Sequence, residues 1–320
     1  MSGPTMRAVR QHGHGDTSVL AIEQVPVPEP LPTEVRVRVT AAGVNPVDWK
    51  TREGSGMAAV IGAGPFTPGW DVSGVVDAVG FGVTTLKPGD EVFGMPWFPR
   101  AGGAYAEYVT APSRQFVRKP VTVGHAEAAA VPLGGLTAWQ ALVDTADVKP
   151  GQRVLVHAAA GGVGHLAVQI AAALGATTIG TASAARAEFL RGLGVDQVVD
   201  YRAERFEDAV DEVDVVLDLV GGFEDTDVRS VRLVRPGGTY VAVHGVSPAV
   251  AALAEARGVR AASLLVEPDG AALARLADLM DGGELAAVVQ ERFALEDVAA
   301  AHLLGETGRT QGKLVLEVAR

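Results

Sequence analysis

The chain has 320 residues, a length that indicates about two domains. It contains no cysteine, which excludes disulfides, cysteine-ligated zinc, iron–sulfur clusters and a cysteine nucleophile. The net charge of −11 argues against nucleic acid or an anionic membrane as the main partner, because both favour a basic surface.

The first third of the chain is predicted to be rich in β-strands. In residues 34–41, valines at 35, 37 and 39 alternate with arginines, which is the pattern of a half-buried strand. Further short strands are predicted between glycine and proline turns, at 71–79, 91–93 and 104–109. Such a segment predicts an irregular β-barrel or sandwich.

From about Val123 the pattern changes to alternating helices and strands. Strands are predicted at 153–159, 177–181, 197–200, 213–220, 239–244 and 261–266, and helices at 163–174, 184–193 and 225–233. This alternation predicts a doubly wound parallel sheet in an α/β fold. Residues 154–185 carry no charged side chain, but the five glycines and two histidines there favour a buried strand, turn, helix and strand over a membrane span.

The tail, from about Asp269, is predicted to hold a helix at 271–280 and a further segment at 287–293. A helix near 295–304 and a closing strand at 313–318 complete it.

A glycine-rich turn follows the first predicted strand of the parallel sheet. Aligned on the dinucleotide fingerprint G-x-G-x-x-G, Ala159, Gly161 and Gly164 take the three glycine positions. Gly161 and Gly162 allow the backbone to approach a pyrophosphate, and Gly164 allows close packing of helix on strand. The segment 160–164, which includes Ala160 and Val163, is therefore predicted to bind a dinucleotide at the helix N-terminus. The alternative is a structural turn that binds nothing.

The end of the second strand of this sheet favours NADPH over NADH. An acidic residue about 20 positions after the fingerprint would hold the ribose of NAD, but Ser183 stands there and Arg186 follows. A hydroxyl and a guanidinium accept a 2′-phosphate, whereas a carboxylate repels it. Tyr201 and Arg202, after the third strand, would complete this pocket. The alternative for Arg186 is an exposed helix residue.

Taken together, the motifs resemble those of the medium-chain dehydrogenase/reductase superfamily, in its zinc-independent quinone oxidoreductase branch, which is related to zeta-crystallin. The resemblance covers essentially the whole chain in order, and the residues that carry it lie at 43–48, 68–71, 76–80, 89–90, 102–108, 137–138, 158–164 and 312–313. It implies a GroES-like catalytic domain (1–122 and 269–320), a Rossmann dinucleotide-binding domain (123–268) and an active site in the cleft between them. It also implies cofactor contacts from Pro46, Thr137, Val220 and Lys313. His244 ends the fifth predicted strand of the parallel sheet, at the edge where ligands bind, and is a further cofactor candidate, with a structural histidine as an equal alternative.

The chain departs from the zinc alcohol dehydrogenases of this superfamily. Those enzymes carry a metal-binding cysteine near the position of Asn45 and a histidine where this chain has Trp70. Without thiolate or imidazole at these places, a tetrahedral catalytic zinc is not expected. A reductase without zinc needs an acceptor that is already activated, such as a quinone or an α,β-unsaturated ketone, and hydrogen-bond donors for the oxygen that gains charge.

Four side chains are candidates for the catalytic work. Asn45 is a candidate polar residue of the cleft, with a turn residue before Pro46 as the alternative. Asp48 would orient Asn45 or contact the nicotinamide ribose, and Lys50 would donate to the substrate oxygen unless it is simply exposed. Tyr105 is another possible donor, with half-buried packing as its alternative.

The sequence therefore predicts an NADPH-dependent, zinc-independent quinone or enone reductase with a small-molecule substrate. The alternatives are an enoyl-thioester reductase of the same superfamily and a non-catalytic NADPH-binding protein like zeta-crystallin. The resemblance suggests a homodimer. With no apolar leader at the N-terminus, we expect a cytoplasmic protein.

Overall fold

The computed structural model describes residues 3–318. Its strands are β1 (Thr5–Gln11), β2 (Leu20–Pro26), β3 (Glu34–Val44), β4 (Asp71–Val79), β5 (Glu91–Gly94), β6 (Tyr108–Pro112), β7 (Phe116–Arg118), β8 (Arg153–Val156), β9 (Thr177–Ala182), β10 (Gln197–Asp200), β11 (Val213–Asp218), β12 (Val234–Ala242), β13 (Arg260–Ser263), β14 (Val289–Ala294) and β15 (Lys313–Glu317). Its helices are α1 (Pro46–Glu53), α2 (Ala58–Ile61), α3 (His125–Ala129), α4 (Pro132–Trp139), α5 (Gly164–Ala173), α6 (Ala187–Gly192), α7 (Phe206–Ala209), α8 (Thr226–Leu233), α9 (Pro248–Ala256), α10 (Gly270–Asp281) and α11 (Val298–Glu306).

The chain forms two compact units. Unit 1 takes the chain up to Leu136, then Glu267–Gly283 and the part that begins at Ala287. Unit 2 consists of Thr137–Val266 with Glu284–Ala286. The functional domain limits expected from the sequence, 1–122 with 269–320 and 123–268, remain a prediction.

Unit 1 is built on a mixed sheet of seven strands. The strand order is β14-β15-β3-β4-β5-β7, and β6 pairs with β3 as well. Along β3 the predicted alternation is confirmed, since Val35, Val37 and Val39 are buried in the core while the arginines between them are partly or fully exposed. The hairpin of β1 and β2 forms a separate two-stranded sheet. The predicted β-rich unit is therefore confirmed.

Unit 2 carries a parallel sheet with strand order β10-β9-β8-β11-β12-β13. This is the doubly wound order in which the direction of winding reverses between the first and fourth strands, here β8 and β11. Its core joins Leu155, Ile179 and Val216 on these strands to Val231 of α8. Ligands of such sheets bind outside the carboxyl ends of the strands at that reversal point. The predicted Rossmann-type sheet is confirmed.

Several predicted element limits were wrong. The strand expected at 104–109 begins only at Tyr108, and Ala106 makes no more than an isolated bridge with Ala8. Strand β8 ends at Val156, because residues 157–160 already form the turn. Strand β12 begins at Val234, before Pro236 and two glycines that resemble a turn, and its register with β11 shifts in this region.

The uncharged stretch 154–185 is confirmed as strand, turn, helix and strand. Among residues 3–318, every helix is too short or too polar to span a bilayer.

Candidate functional site

A buried polar cluster lies where β3 runs into α1 in unit 1. Asn45 caps the helix, Pro46 takes its first position and Asp48 its third, which is a favourable N-terminal pattern. The backbone N–H of Asn45 donates to Asp48 Oδ2 at 2.6 Å. Asn45 and Asp48 are 2% and 1% exposed. The sequence thus brings two of its predicted catalytic residues together, facing inwards.

Asp71 and Lys313 complete this cluster. Asp71 opens β4 and is fully buried; its Oδ2 accepts from Asn45 Nδ2 at 2.8 Å and from Lys313 Nζ at 3.1 Å. Its Oδ1 accepts from the backbone N–H of Leu133 at 2.6 Å. The Lys313 ammonium also donates to Asn45 Oδ1. Lys313, predicted as a cofactor contact, is therefore the buried counter-cation of Asp71, and the Asn45 side chain is held through both its oxygen and its nitrogen.

Tyr105 lies beside Asp48 and is fully buried. Burial raises the pKa of Asp48 to about 7, and burial with the neighbouring Asp48 raises the pKa of Tyr105. Among the described residues, neither the Tyr105 hydroxyl nor Asp48 Oδ1 has a hydrogen-bond partner. Because its pKa lies at about 7, the Asp48 carboxyl can hold or release a proton near neutral pH.

The other predicted residues of this region are more accessible. Pro46 is exposed and Lys50 is partly exposed on α1. Within residues 3–318 the Lys50 ammonium has no ion-pair or hydrogen-bond partner. Lys50 is therefore the accessible cation of α1, whereas the cluster around Asn45 and Asp48 at the start of the same helix is buried.

In unit 2 the predicted glycine turn joins β8 to α5. Ala158 adopts the left-handed conformation, with φ of 49°, and its carbonyl accepts from the backbone N–H of Gly161 at 2.9 Å. A Cβ on Gly164 would lie 2.4 Å from that carbonyl oxygen, so glycine is required there. The predicted residues Ala160, Gly161, Gly162 and Val163 form the turn that leads into α5 at Gly164.

A cavity of about 890 Å³ opens in unit 2 beyond the carboxyl ends of β8 to β11. Of the predicted cofactor residues it includes Tyr201 and Val220, and Arg202 lies 5.6 Å above the Tyr201 ring. Its lining is rich in arginine: Arg202, Arg205, Arg229 and Arg232, facing Glu204, Glu224 and Asp225. The space and the guanidinium groups suit a phosphorylated nucleoside.

The remaining predicted residues lie outside this lining. Ser183 and Arg186 follow β9, partly exposed. His244 follows β12, is exposed and lies with Nε2 3.1 Å from the Leu219 carbonyl oxygen. Thr137 is buried on α4.

Sequence reasoning missed Asp71, His157 and Thr181 as parts of these sites. Asp71 had a signal, because a carboxylate at the first position of a buried strand needs a partner. His157 and Thr181 had none, because their hydrogen bond joins two residues that lie 24 positions apart in the chain.

Two protein-family models match the chain: the alcohol dehydrogenase GroES-like domain over residues 31–121 and the zinc-binding dehydrogenase domain over residues 193–316. Within residues 3–318, no three His, Cys, Asp or Glu side chains lie close enough together to hold a metal ion.

Known proteins are similar over nearly the whole chain. A 2-methylene-furan-3-one reductase of Solanum lycopersicum is 36% identical over 97% of this chain and 79% of its own length. A chloroplastic NADPH-dependent alkenal/one oxidoreductase of Arabidopsis thaliana is 35% identical with the same coverage. The structure of a quinone oxidoreductase from Coxiella burnetii superposes with a TM-score of 0.90 at 37% identity, covering 99% of this chain and 100% of that one. The chain belongs to the medium-chain dehydrogenase/reductase superfamily, among its quinone and enone reductases.

Proposed function

We propose that this chain is an NADPH-dependent reductase of quinones or α,β-unsaturated carbonyl compounds that works without zinc. The observation that supports this most is its similarity, over 97% of its length, to a 2-methylene-furan-3-one reductase and to an NADPH-dependent alkenal/one oxidoreductase. An acceptor of this kind needs no Lewis acid, because conjugation already activates the carbon that receives the hydride.

The residues of unit 2 fit a dinucleotide. The Gly164 position has no room for a Cβ, so the backbone of the turn packs closely against the start of α5, where a pyrophosphate would bind. The arginine-rich cavity suits the adenosine end, where Tyr201 and Arg202 would hold a 2′-phosphate with Ser183 and Arg186. Ala160, Gly161, Gly162, Val163, Val220, Thr137 and His244 complete the proposed cofactor contacts. When bound, the nicotinamide supplies the hydride.

The residues of unit 1 supply polarity and a proton. As hydride reaches the acceptor, negative charge develops on its oxygen, and a donor stabilises that charge. Lys50 is the proposed donor, because its side chain is partly exposed and its ammonium has no hydrogen-bond or ion-pair partner within residues 3–318. Asp48 with Tyr105 is the proposed proton reservoir, since the pKa of Asp48 lies at about 7. Asn45 holds this arrangement through the N–H that it donates to Asp48.

The cluster of unit 1 also supports the zinc-free mechanism. The Lys313 ammonium contacts oxygen atoms of both Asn45 and Asp71, so these oxygens already bind a resident cation. An amide, a carboxylate and an ammonium do not form the nitrogen and sulfur donor set that zinc prefers.

Three further statements belong to the proposal. The catalytic domain is assigned to 1–122 with 269–320, and the dinucleotide-binding domain to 123–268. The protein is proposed to be a homodimer. It is proposed to act in the cytoplasm on small molecules, with neither nucleic acid nor membrane as a partner, in keeping with its net charge of −11.

The test is the oxidation of NADPH with benzoquinone, phenanthrenequinone and a short enone, run beside NADH and repeated with a chelator. Rapid turnover that prefers NADPH and resists the chelator supports the proposal. If an enoyl thioester is reduced and the quinones and the enone are not, the substrate class is thioesters instead. Binding of NADPH without turnover of any acceptor indicates a binding protein and refutes the reductase.

A further inference from the structure

A buried imidazole lies beneath the nucleotide cavity of unit 2. His157 directly follows β8, is 2% exposed and lines the cavity together with Ala158 and Thr181. Its Nδ1 lies 3.1 Å from Thr181 Oγ1 and its Nε2 lies 2.8 Å from Ser230 Oγ. Burial lowers the pKa of His157 to about 4, so the ring is neutral at neutral pH.

The direction of these hydrogen bonds can be worked out from the end of the series, the Thr226 carbonyl oxygen, which can only accept. Ser230 Oγ lies 2.6 Å from the Thr226 carbonyl oxygen, which can only accept, so the hydroxyl hydrogen points there. Ser230 Oγ therefore accepts from the Nε2–H of His157. A neutral ring protonated at Nε2 has a bare Nδ1, which accepts from the Thr181 hydroxyl.

The other end of this chain of hydrogen bonds is the glycine turn. Thr181 Oγ1 accepts from the backbone N–H of Ala158 at 3.3 Å. Four donors thus point the same way, from Ala158 through Thr181, His157 and Ser230 to Thr226 of α8. Hydrogen bonds that run in one direction polarise and strengthen one another.

These hydrogen bonds bear on the backbone conformation of Ala158. It holds a left-handed φ of 49°, which residues other than glycine rarely adopt. Its carbonyl receives the Gly161 N–H at 2.9 Å and packs against Gly164. A change in its conformation would move every N–H of the turn that precedes α5. The conformation therefore needs support from its surroundings.

We propose that His157, acting through Thr181, is a positioning residue that holds Ala158 in its left-handed conformation and so shapes the turn for the cofactor's pyrophosphate. This inference rests on the proposed binding of a nicotinamide dinucleotide. His157 contacts neither phosphate nor substrate in this role. His157 and Thr181 line the cavity with little exposed surface, so their effect passes through the backbone of Ala158 and falls mainly on the pyrophosphate.

The test compares two ligands on matched variants. Thr181→Val removes the hydroxyl at nearly constant volume, and Thr178→Val does the same on the same strand, where the hydroxyl serves Asp196 instead. Dissociation constants are measured for NADPH and for adenosine 2′-monophosphate, which lacks the pyrophosphate. We expect Thr181→Val to weaken NADPH binding about tenfold, the worth of roughly one hydrogen bond, and to leave the smaller ligand within about twofold. Thr181→Ser, which keeps the hydroxyl, should restore NADPH binding.

A second variant, His157→Phe, tests the same inference if Thr181→Val folds poorly. His157→Phe keeps the ring that packs edge-on against Phe206 at 4.7 Å but removes both nitrogens. It should show the same selective loss of NADPH affinity, and the maximal rate at saturating NADPH should stay near that of the wild type. Melting temperatures without ligand measure any purely structural damage.

Three outcomes overturn the inference. They are wild-type affinity for NADPH in both variants, an equal loss for both ligands, or the same loss in Thr178→Val. Failure of the proposed function is distinct, because the wild-type protein itself would then not bind NADPH.

Discussion

Replacing Asp48 by asparagine tests the buried carboxyl of unit 1. Burial raises the pKa of this group from 3.8 to about 7. Because the pKa is raised in the folded protein, folding favours the protonated form. The stability contributed by this proton is fully present below pH 3.8 and is lost as the pH rises through about 7.

The magnitude follows from the size of the shift. About three pH units at ~1.4 kcal/mol each amount to about 4 kcal/mol. Asparagine keeps the acceptor for the Asn45 N–H through its own oxygen and gains an amide beside Tyr105, but it does not titrate here. We therefore expect the stability of Asp48→Asn relative to wild type to increase by about 4 kcal/mol as the pH rises through this window.

The assay is urea unfolding of both proteins at a series of pH values. The wild-type curve alone is not diagnostic, because burial lowers the pKa of His157 to about 4 and that of His302 to about 3. Those two contributions have the opposite sign: they are present above the unfolded pKa of 6.5 and are lost as the pH falls through the lowered values. The difference between the two proteins cancels them.

The exposed Asp211→Asn is the matched control and should show no such change. A stability difference between Asp48→Asn and wild type that does not depend on pH would refute the reasoning.

Four other outcomes are expected. Lys313→Met leaves the fully buried Asp71 carboxylate without its cation and should cost about 3–5 kcal/mol in urea unfolding; adding Asp71→Asn should restore much of it, and a loss below about 1 kcal/mol would contradict the pairing. Gly164→Ala places a Cβ 2.4 Å from the Ala158 carbonyl oxygen and should cost about 1–3 kcal/mol and weaken NADPH binding measured by fluorescence; unchanged binding would count against the proposed turn. Arg202→Ala should raise the KM for NADPH about tenfold or more and leave that for NADH unchanged, with exposed Arg191→Ala as control; equal effects on both cofactors would exclude a 2′-phosphate contact. Metal analysis by mass spectrometry should find no stoichiometric zinc, and a chelator should leave the rate unchanged; loss of activity that added zinc restores would contradict the zinc-free mechanism.

The elements that sequence predicted well are those whose pattern is local. The valines of β3 alternate, and the glycine turn at 158–164 lies between an apolar strand and an apolar helix, so both were predictable. The limits of β12 were not, because Pro236 and two glycines continue the strand only through a shift in its register with β11.

In the candidate sites too, contacts between residues close in the chain were predictable and contacts between distant residues were not. Asn45 and Asp48 lie three residues apart at a helix start, so their hydrogen bond was predictable from their spacing. Lys313 meets Asp71 across 242 residues, and nothing local indicates that its ammonium turns inward to a carboxylate. The hydrogen bonds of His157 likewise depend on which strands become neighbours, which is a property of the whole sheet.

The place of β15 in the sheet has a consequence for how the protein is made. This last strand pairs with β3, with Leu314 opposite Val44, so unit 1 joins segments about 270 residues apart. During synthesis on the ribosome, all strands of the parallel sheet of unit 2 are made before β15, so that edge of β3 is still unpaired at that stage. An unpaired strand edge can pair with other chains, so this edge of β3 is an aggregation risk in the nascent protein until β15 pairs with it. Closing so long a loop is also slow. Completion of unit 1 is therefore expected to be the late step of folding, and removal of the last strand should leave unit 1 incomplete while the sheet of unit 2 can still form.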